Sequence, residues 1–111
     1  MAKFQKLDAG KLLGDVPDVY VFRCCDGSIF RNMKELREGL ESMSDETFIF
    51  HANADKNDFS NWVRDVITDE KLARDLSKAR NRSQAVQRVV ARVRSLSARL
   101  EPHSLTKRQS A

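Results

Sequence analysis

The chain of 111 residues has little glycine, little proline and no long hydrophobic run. Four glycines and two prolines are too few for the many tight turns of an all-β fold, and they permit long helices. The longest unbroken apolar run, Val19–Phe22, is far shorter than the ~20 residues of a membrane-spanning helix. No apolar segment follows the basic N-terminus, so we expect no secretory signal and a cytoplasmic protein. Hydrophobic residues at 41% and charged residues at 32% indicate one globular domain.

Cysteine and histidine are scarce, with two residues of each, and this argues against a metal site. Cys24 and Cys25 are adjacent, and on a strand their side chains would point to opposite faces. We therefore expect reduced thiols, one of them in the core. His51 has Asp55 at a helical spacing and Asp58 follows closely, but a zinc site needs three or four ligands and no second histidine is near. We predict no metal and no cofactor, with His51 bonded locally near a helix end.

No pattern of a catalytic site is present in the chain. There is no glycine-rich phosphate loop and no serine–histidine–aspartate arrangement. Asp65, Asp69 and Asp75 lie beside basic residues in predicted helices, which favours surface ion pairs over paired catalytic carboxylates. Trp62 lies on an apolar helical stripe and is expected in the core. We predict a non-enzymatic protein with no catalytic residue and no small-molecule substrate.

The hydrophobic pattern predicts a mainly α fold, a compact bundle of four to five helices with a short N-terminal strand or hairpin. Residues 19–25 have a strand composition and Asp26-Gly27 suits a tight turn, so residues 28–31 are either a second strand or an extended lead-in. Capping residues and apolar spacings place helices at about 33–43, 45–52, 58–67, 69–79 and 83–100. We expect one domain at 19–101, between a loosely structured arm at 1–18 and a disordered basic tail at 102–111.

The net charge of +4 is distributed unevenly along the chain. Residues 1–58 contain eight basic and eleven acidic residues, a balance of −3, whereas residues 59–111 contain twelve and five, a balance of +7. Residues 76–111 alone carry nine basic residues against Glu101, a balance of +8. Seven of those nine are arginine, which binds phosphate in a bidentate manner and stacks on bases better than lysine does. The pattern suggests a polyanionic partner or an acidic surface of the same protein, and the equally weighted alternative is a solvated, highly charged helix.

The last predicted helix carries an apolar seam and a basic flank. The seam has spacings of three and four over about two heptads, too short for a coiled coil, so it is expected to pack on the bundle; its residues are Val86, Val89, Val93, Leu96 and Leu100. The basic flank lies about 100° from the seam centre and consists of Arg88, Arg92 and Arg99. Small residues beside it would let a phosphate backbone or another helix approach. The alternative is that the arginine stems extend over the edge of the bundle.

Two functions follow from this charge layout. The first is a small binding protein that contacts nucleic acid or a ribonucleoprotein such as the ribosome. Its predicted nucleic-acid contacts are Arg80, Arg82, Arg88, Arg92, Arg99, Lys107 and Arg108. The second is a protein–protein interaction or regulatory module, which forms a homodimer through its oppositely charged halves or docks on a larger enzyme.

The middle of the chain carries an ordered set of residues from Asp26-Gly27 to Leu72-Ala73. Its most specific part reads F-x-F-H, then N-D-F-x-x-W, then D-x-x-L-A, at Phe48–His51, Asn57–Trp62 and Asp69–Ala73. This pattern resembles a family of small prokaryotic, largely archaeal helical domains that have no assigned activity and are sometimes fused to larger enzymes. The resemblance covers about half of the chain, from 22 to 76. It implies a compact helical module and transfers no catalytic role.

Overall fold

Helices make up most of residues 9–100, the part of the chain that the computed structural model describes. The described part of helix α1 covers residues 9–13. The other helices are α2 Met33–Ser42, α3 Asp45–His51, α4 Asp58–Trp62, α5 Glu70–Ser77 and α6 Arg82–Leu100. Helix α4 continues into a π-helical turn, Val63–Ile67. The predicted mainly α fold with a short N-terminal hairpin is confirmed, and α2 to α6 differ from their predicted limits by no more than two residues when the π-helical turn is counted with α4.

The hairpin is shorter than the sequence suggested. Strands β1, Phe22–Arg23, and β2, Ile29–Phe30, pair antiparallel. Residues Asp18–Tyr20 form a 3-10 turn, although the strand was expected to begin at Val19, and this turn leaves the Val19 side chain exposed. Pro17 fixes this turn, because its carbonyl accepts the Tyr20 N–H at 2.8 Å. The two strands are therefore held as a hairpin by their packing on the helices and not by their length.

Side-chain caps start the helices largely where the sequence placed them. The side chains of Asn32, Ser44, Asn57 and Asp69 accept backbone N–H groups in the first turns of α2, α3, α4 and α5. The predicted cap of α6 was wrong by two residues. Asn81, rather than Ser83, accepts the Gln84 N–H at 2.8 Å, so the helix begins at Arg82.

Aromatic side chains join the hairpin to the helices. The Phe22 ring is stacked on the rings of Phe30 and Phe59 and meets Trp62 edge-on. Trp62 is buried, as predicted, and its indole Nε1 donates to the Tyr20 carbonyl at 2.7 Å. Trp62 is therefore a core residue, and its polar atom ties helix α4 to the turn that precedes β1.

Helix α2 lies close against the hairpin because of Gly39. A Cβ atom at this position would be 2.1 Å from the Phe30 ring, so only glycine allows the present spacing. The neighbouring face of α2 buries Met33, Leu36 and Leu40. Helix α6 contacts both α2 and α5.

The N-terminal residues that the structure describes are packed, contrary to the loosely structured arm expected from the sequence. Ala9 and Leu12, three positions apart on α1, are both buried in the core. Beyond α1, the Val16 N–H donates to the Arg31 carbonyl at 2.8 Å, beside β2. Residues 1–8 and 101–111, including the predicted tail at 102–111, lie outside the described residues.

The apolar seam of α6 packs on the bundle only in part. Val89 and Leu96 are buried and Val86 and Val93 are partly buried, but Leu100 is 51% exposed. Ala85, which was not assigned to the seam, is buried as well. Among the described helices, none combines the length and apolar character needed to cross a membrane.

Candidate functional site

The arginines predicted to form one basic patch have different structural roles. Arg82 lies at the start of α6 and bridges two other helices. Its Nε donates to the Asp45 carboxylate at 2.8 Å, and its Nη1 donates to the Leu40 and Glu41 carbonyls at 2.9 and 3.1 Å. These carbonyls are at the C-terminal end of α2, where a cation is favoured by the helix dipole. Arg82 therefore fastens α6 to α2 and α3.

Arg92 is turned toward the core and not outward along the basic flank. Its guanidinium binds the buried Asp69 carboxylate in a bidentate manner, with Nε to Oδ2 at 2.8 Å and Nη2 to Oδ1 at 3.2 Å. The Arg92 side chain is 12% exposed and the Asp69 side chain is 1% exposed. Asp69 also caps α5 by accepting the Leu72 N–H. The expectation of a surface ion pair for Asp69 was therefore wrong, whereas Asp65 and Asp75 do pair at the surface, with Arg64 and Lys71.

The position of the buried residues on α6 explains why Arg92 is turned inward whereas Arg88 and Arg99 are exposed. Ala85, Val89 and Leu96 are the buried residues of α6. At about 100° per residue, their centre lies roughly 40° nearer to Arg92 than the centre of the predicted seam does. Arg92 is thus at the edge of the contact with α5.

The remaining predicted contacts that the structure describes are exposed. Within residues 9–100, the side chains of Arg80, Arg88 and Arg99 take part in no ion pair. Arg80 borders a hollow beside the end of α3, so it does not continue the flank. Lys107 and Arg108 lie outside the described residues.

Two neighbouring grooves run beside α6, and Lys71 and Arg92 line both. One extends to Arg99 and is also lined by Leu12 of α1, and the other extends to Arg88. Acidic side chains share these grooves: Asp69 and Glu70 in the first and Asp75 in the second. The charges of Lys71 and Arg92, which line both grooves, are thus partly neutralised by these acids. Arg88 and Arg99 are the exposed cations at the far ends of the two grooves. Sequence reasoning missed Lys71 as part of this surface, since it is on α5.

A second group of reactive side chains lies where the hairpin turn meets the end of α3. One nitrogen of His51 and the sulfur atoms of Cys24 and Cys25 all lie within 4.8 Å of one another, and we call these three residues the thiol–histidine cluster. Both cysteines are free thiols; Cys24 is buried and Cys25 is exposed. One thiol in the core was predicted, and Cys24 is buried while Cys25 is exposed, yet their sulfur atoms lie within 4.8 Å of each other. Cys25 is already in the turn, where the alternation of a strand no longer holds.

The His51 ring is held between the hairpin turn and α4. Its Nε2 accepts the backbone N–H of Cys25 at 3.0 Å, and its Nδ1 lies 3.0 Å from Asp58 Oδ2. Because Nε2 accepts this hydrogen bond it is unprotonated, so the neutral ring has its N–H on Nδ1 and donates that hydrogen bond to Asp58. His51 ends α3, as predicted, but Asp58 and not Asp55 is its carboxylate partner. The bond to Cys25 spans 26 positions of sequence, beyond a local contact.

The surroundings of His51 lower the pKa of Asp58 and raise the pKa of Cys24. Burial by itself raises the pKa of Asp58, but hydrogen bonds from Lys56 and His51 outweigh it, so the pKa of this carboxyl lies below its ordinary value. Burial raises the pKa of the Cys24 thiol, which favours its protonated form. Asp58 is thus held as a carboxylate that orients the imidazole.

Aromatic rings enclose the imidazole. Phe22 and Phe59 lie 5.2 and 5.3 Å from the His51 ring centre, and Phe50 meets the ring edge-on at 4.9 Å. His51 is 5% exposed as a result. The cluster therefore has a rigid, apolar inner side and one exposed thiol on its outer side.

Comparison with family models, with curated proteins and with solved structures finds no match for this chain. The functional proposals below accordingly depend on the residues of this chain alone.

Proposed function

We propose that this protein is a non-enzymatic binding protein of the cytoplasm that contacts nucleic acid or a ribonucleoprotein, such as the ribosome, through α6. The observation that carries the proposal is the charge of this helix. Its 19 residues include five arginines and no acidic residue. A phosphate backbone is attracted to such a surface by charge, and arginine suits it by its fixed, bidentate geometry.

The four proposed contact residues on α6 fall into two groups. Arg82 and Arg92 are engaged in ion pairs within the bundle, so we assign them to stability. Arg88 and Arg99 are exposed beside the two grooves, and we assign them to direct contact with phosphate. Arg80, Lys107 and Arg108 remain proposed contacts on either side of this helix.

Titrations with fluorescent RNA and DNA at two salt concentrations test this proposal. If about four phosphates are neutralised on duplex DNA, the slope of log K against log salt is about −3.6. The double variant R88Q/R99Q is expected to bind several-fold more weakly at low salt and to have a shallower slope. The matched control R23Q/R64Q removes two other exposed arginines and the same charge. Equal weakening by both variants, or no binding of the parent protein at low salt, would contradict the assignment to α6.

A protein–protein interaction module is the second candidate. Exposed apolar side chains favour it, because Ile49 and Phe50 on α3 are 58% and 56% exposed and Tyr20 is 57% exposed. Either a homodimer or docking on a larger enzyme would cover such side chains. Light scattering at low and high salt separates the two candidates, since a dimer that ignores nucleic acid supports the second one. A pull-down from native lysate with and without nuclease then distinguishes an RNA-dependent partner from a directly bound protein.

A further inference from the structure

The thiol–histidine cluster has the donor set of a metal site. Cys24, Cys25 and His51 supply two sulfur ligands and one nitrogen ligand within 4.8 Å of one another. In a tetrahedral zinc site with Zn–S bonds of 2.3 Å, the sulfur atoms are about 3.8 Å apart. The ligand atoms of the cluster are at most 4.8 Å apart, about 1 Å more than this sulfur–sulfur distance. Rotation of the cysteine side chains covers that difference.

The orientation of His51 is the second, independent observation. Metal-binding histidines usually donate their remote N–H to a carboxylate, which fixes the tautomer and directs the other nitrogen at the metal. His51 has this arrangement, with Nδ1 on Asp58 and Nε2 on the side of Cys25. Asp58 is held in turn by Lys56 Nζ at 2.9 Å. The lone pair of Nε2 is thus directed toward the hairpin turn that carries both thiols.

The ligand types and their surroundings select the ion. Thiolates favour soft or borderline ions, and a mixed set of thiolate and imidazole suits Zn²⁺. Since Cys25 is exposed, a water molecule has access to the fourth position. The buried rings of Phe22 and Phe59 pack against His51 and would keep that side of the site apolar.

We propose that Cys24, Cys25 and His51 bind one Zn²⁺ ion, with Asp58 as the positioning residue for His51. On binding, each thiol releases its proton to solvent, so one ion displaces two protons. The ion replaces the Cys25 amide as the partner of Nε2, and the amide turns to the solvent at the exposed turn. The site joins the hairpin to the junction of α3 and α4, and it is independent of nucleic-acid binding by α6.

Titration of the reduced full-length protein with Zn²⁺ and with Co²⁺ tests the proposal. We expect one equivalent of Zn²⁺ to bind and two protons to be released per ion. Co²⁺ is expected to give thiolate charge-transfer absorption together with the visible bands of tetrahedral cobalt. Absence of a one-to-one complex, or a cobalt spectrum without a thiolate band, would overturn the proposal.

Variants then identify the ligands. C25S changes an exposed thiol and is expected to weaken Zn²⁺ binding at least about 100-fold, because only two protein ligands remain. H51Q is expected to do the same, whereas H103Q, at the other histidine of the chain, leaves binding unchanged. Circular dichroism verifies that each variant keeps its helical content. Zn²⁺ binding by C25S at the parental affinity excludes the site even if H51Q fails to fold.

The role of Asp58 has its own test. D58N is expected to weaken Zn²⁺ binding by about 10–100-fold and to leave the cobalt spectrum unchanged, because the ligands themselves stay the same. Unchanged affinity in D58N, or a changed cobalt spectrum, would contradict a positioning role.

Discussion

The contact between α5 and α6 and the junction between the hairpin and α3 each hold a polar group inside the bundle, but they do so by different means. In the first, Arg92 and Asp69 are opposite charges joined by two hydrogen bonds. In the second, the buried His51 ring is neutral and bridges a backbone amide and a carboxylate. Removal of one partner of a charged pair leaves a buried charge uncompensated and lowers the free energy of unfolding strongly. Removal of a neutral ring leaves only unmade hydrogen bonds and lowers it less. The Arg92–Asp69 pair is therefore expected to matter more for stability than the His51 bridge does.

The largest effect is expected at Arg92. The substitution R92M leaves the Asp69 carboxylate buried without its partner, and it is expected to lower the free energy of unfolding by about 3–5 kcal/mol. Urea denaturation followed by circular dichroism measures this difference. The control R88M makes the same change four positions earlier on the exposed face and is expected to stay within about 0.5 kcal/mol. Similar losses in both variants would show that the two arginines are not structurally distinct.

The close approach of the hairpin to α2 is tested by G39A. The added methyl group would overlap the Phe30 ring, so we expect a loss of about 1–3 kcal/mol in the free energy of unfolding. The control G27A adds the same methyl group in open space, at a φ of 94° that disfavours alanine by about 1 kcal/mol. A G39A protein as stable as the parent would mean that the hairpin does not pack on α2 in this way.

The neutral bridge at His51 is tested by H51F. Phenylalanine keeps the aromatic packing but leaves the Cys25 N–H and the Asp58 carboxylate without the ring, and we expect a loss of about 1–3 kcal/mol. Urea denaturation in the presence of a chelator measures this loss without a contribution from metal. A loss as large as that of R92M would contradict the distinction between the two regions.

The smallest effect on stability and the clearest effect on binding are expected for R88Q. If Arg88 contacts one phosphate, the slope of log K against log salt becomes shallower by about 0.9 on duplex DNA. The free energy of unfolding should stay within about 0.5 kcal/mol, because the side chain is exposed. Polarisation titrations at several salt concentrations measure the slope, and an unchanged slope would remove Arg88 from the contact surface.

Local sequence signals were sufficient for most of the fold. Helix limits were predictable because caps such as Asn32 and Asn57 satisfy N–H groups within three residues of themselves. Burial of Trp62 followed from its place on an apolar stripe. The strand at 19–25 was overestimated, because Pro17 and the Trp62 indole fix the Tyr20 backbone in a turn. That contact spans 42 positions and leaves no local trace in the sequence.

The side chains of the two candidate sites were less predictable than the helices. The helical wheel placed Arg88, Arg92 and Arg99 on one flank, but the wheel does not show how far each is from the neighbouring helix. Arg92 is turned inward because Asp69, 23 positions earlier at the start of α5, binds its guanidinium. The thiol–histidine cluster joins a turn to a helix end, so no ligand spacing in the sequence indicates it.

The sequence by itself determined the helical class of this protein, the starts of its middle helices and the concentration of arginine in α6. These features depend on propensity, capping and charge, which act within a few residues along the chain. The tertiary structure decided which arginines form ion pairs within the bundle. It also brought Cys24, Cys25 and His51 close together. Both outcomes depend on distances between elements far apart in sequence, and packing of the whole core sets those distances.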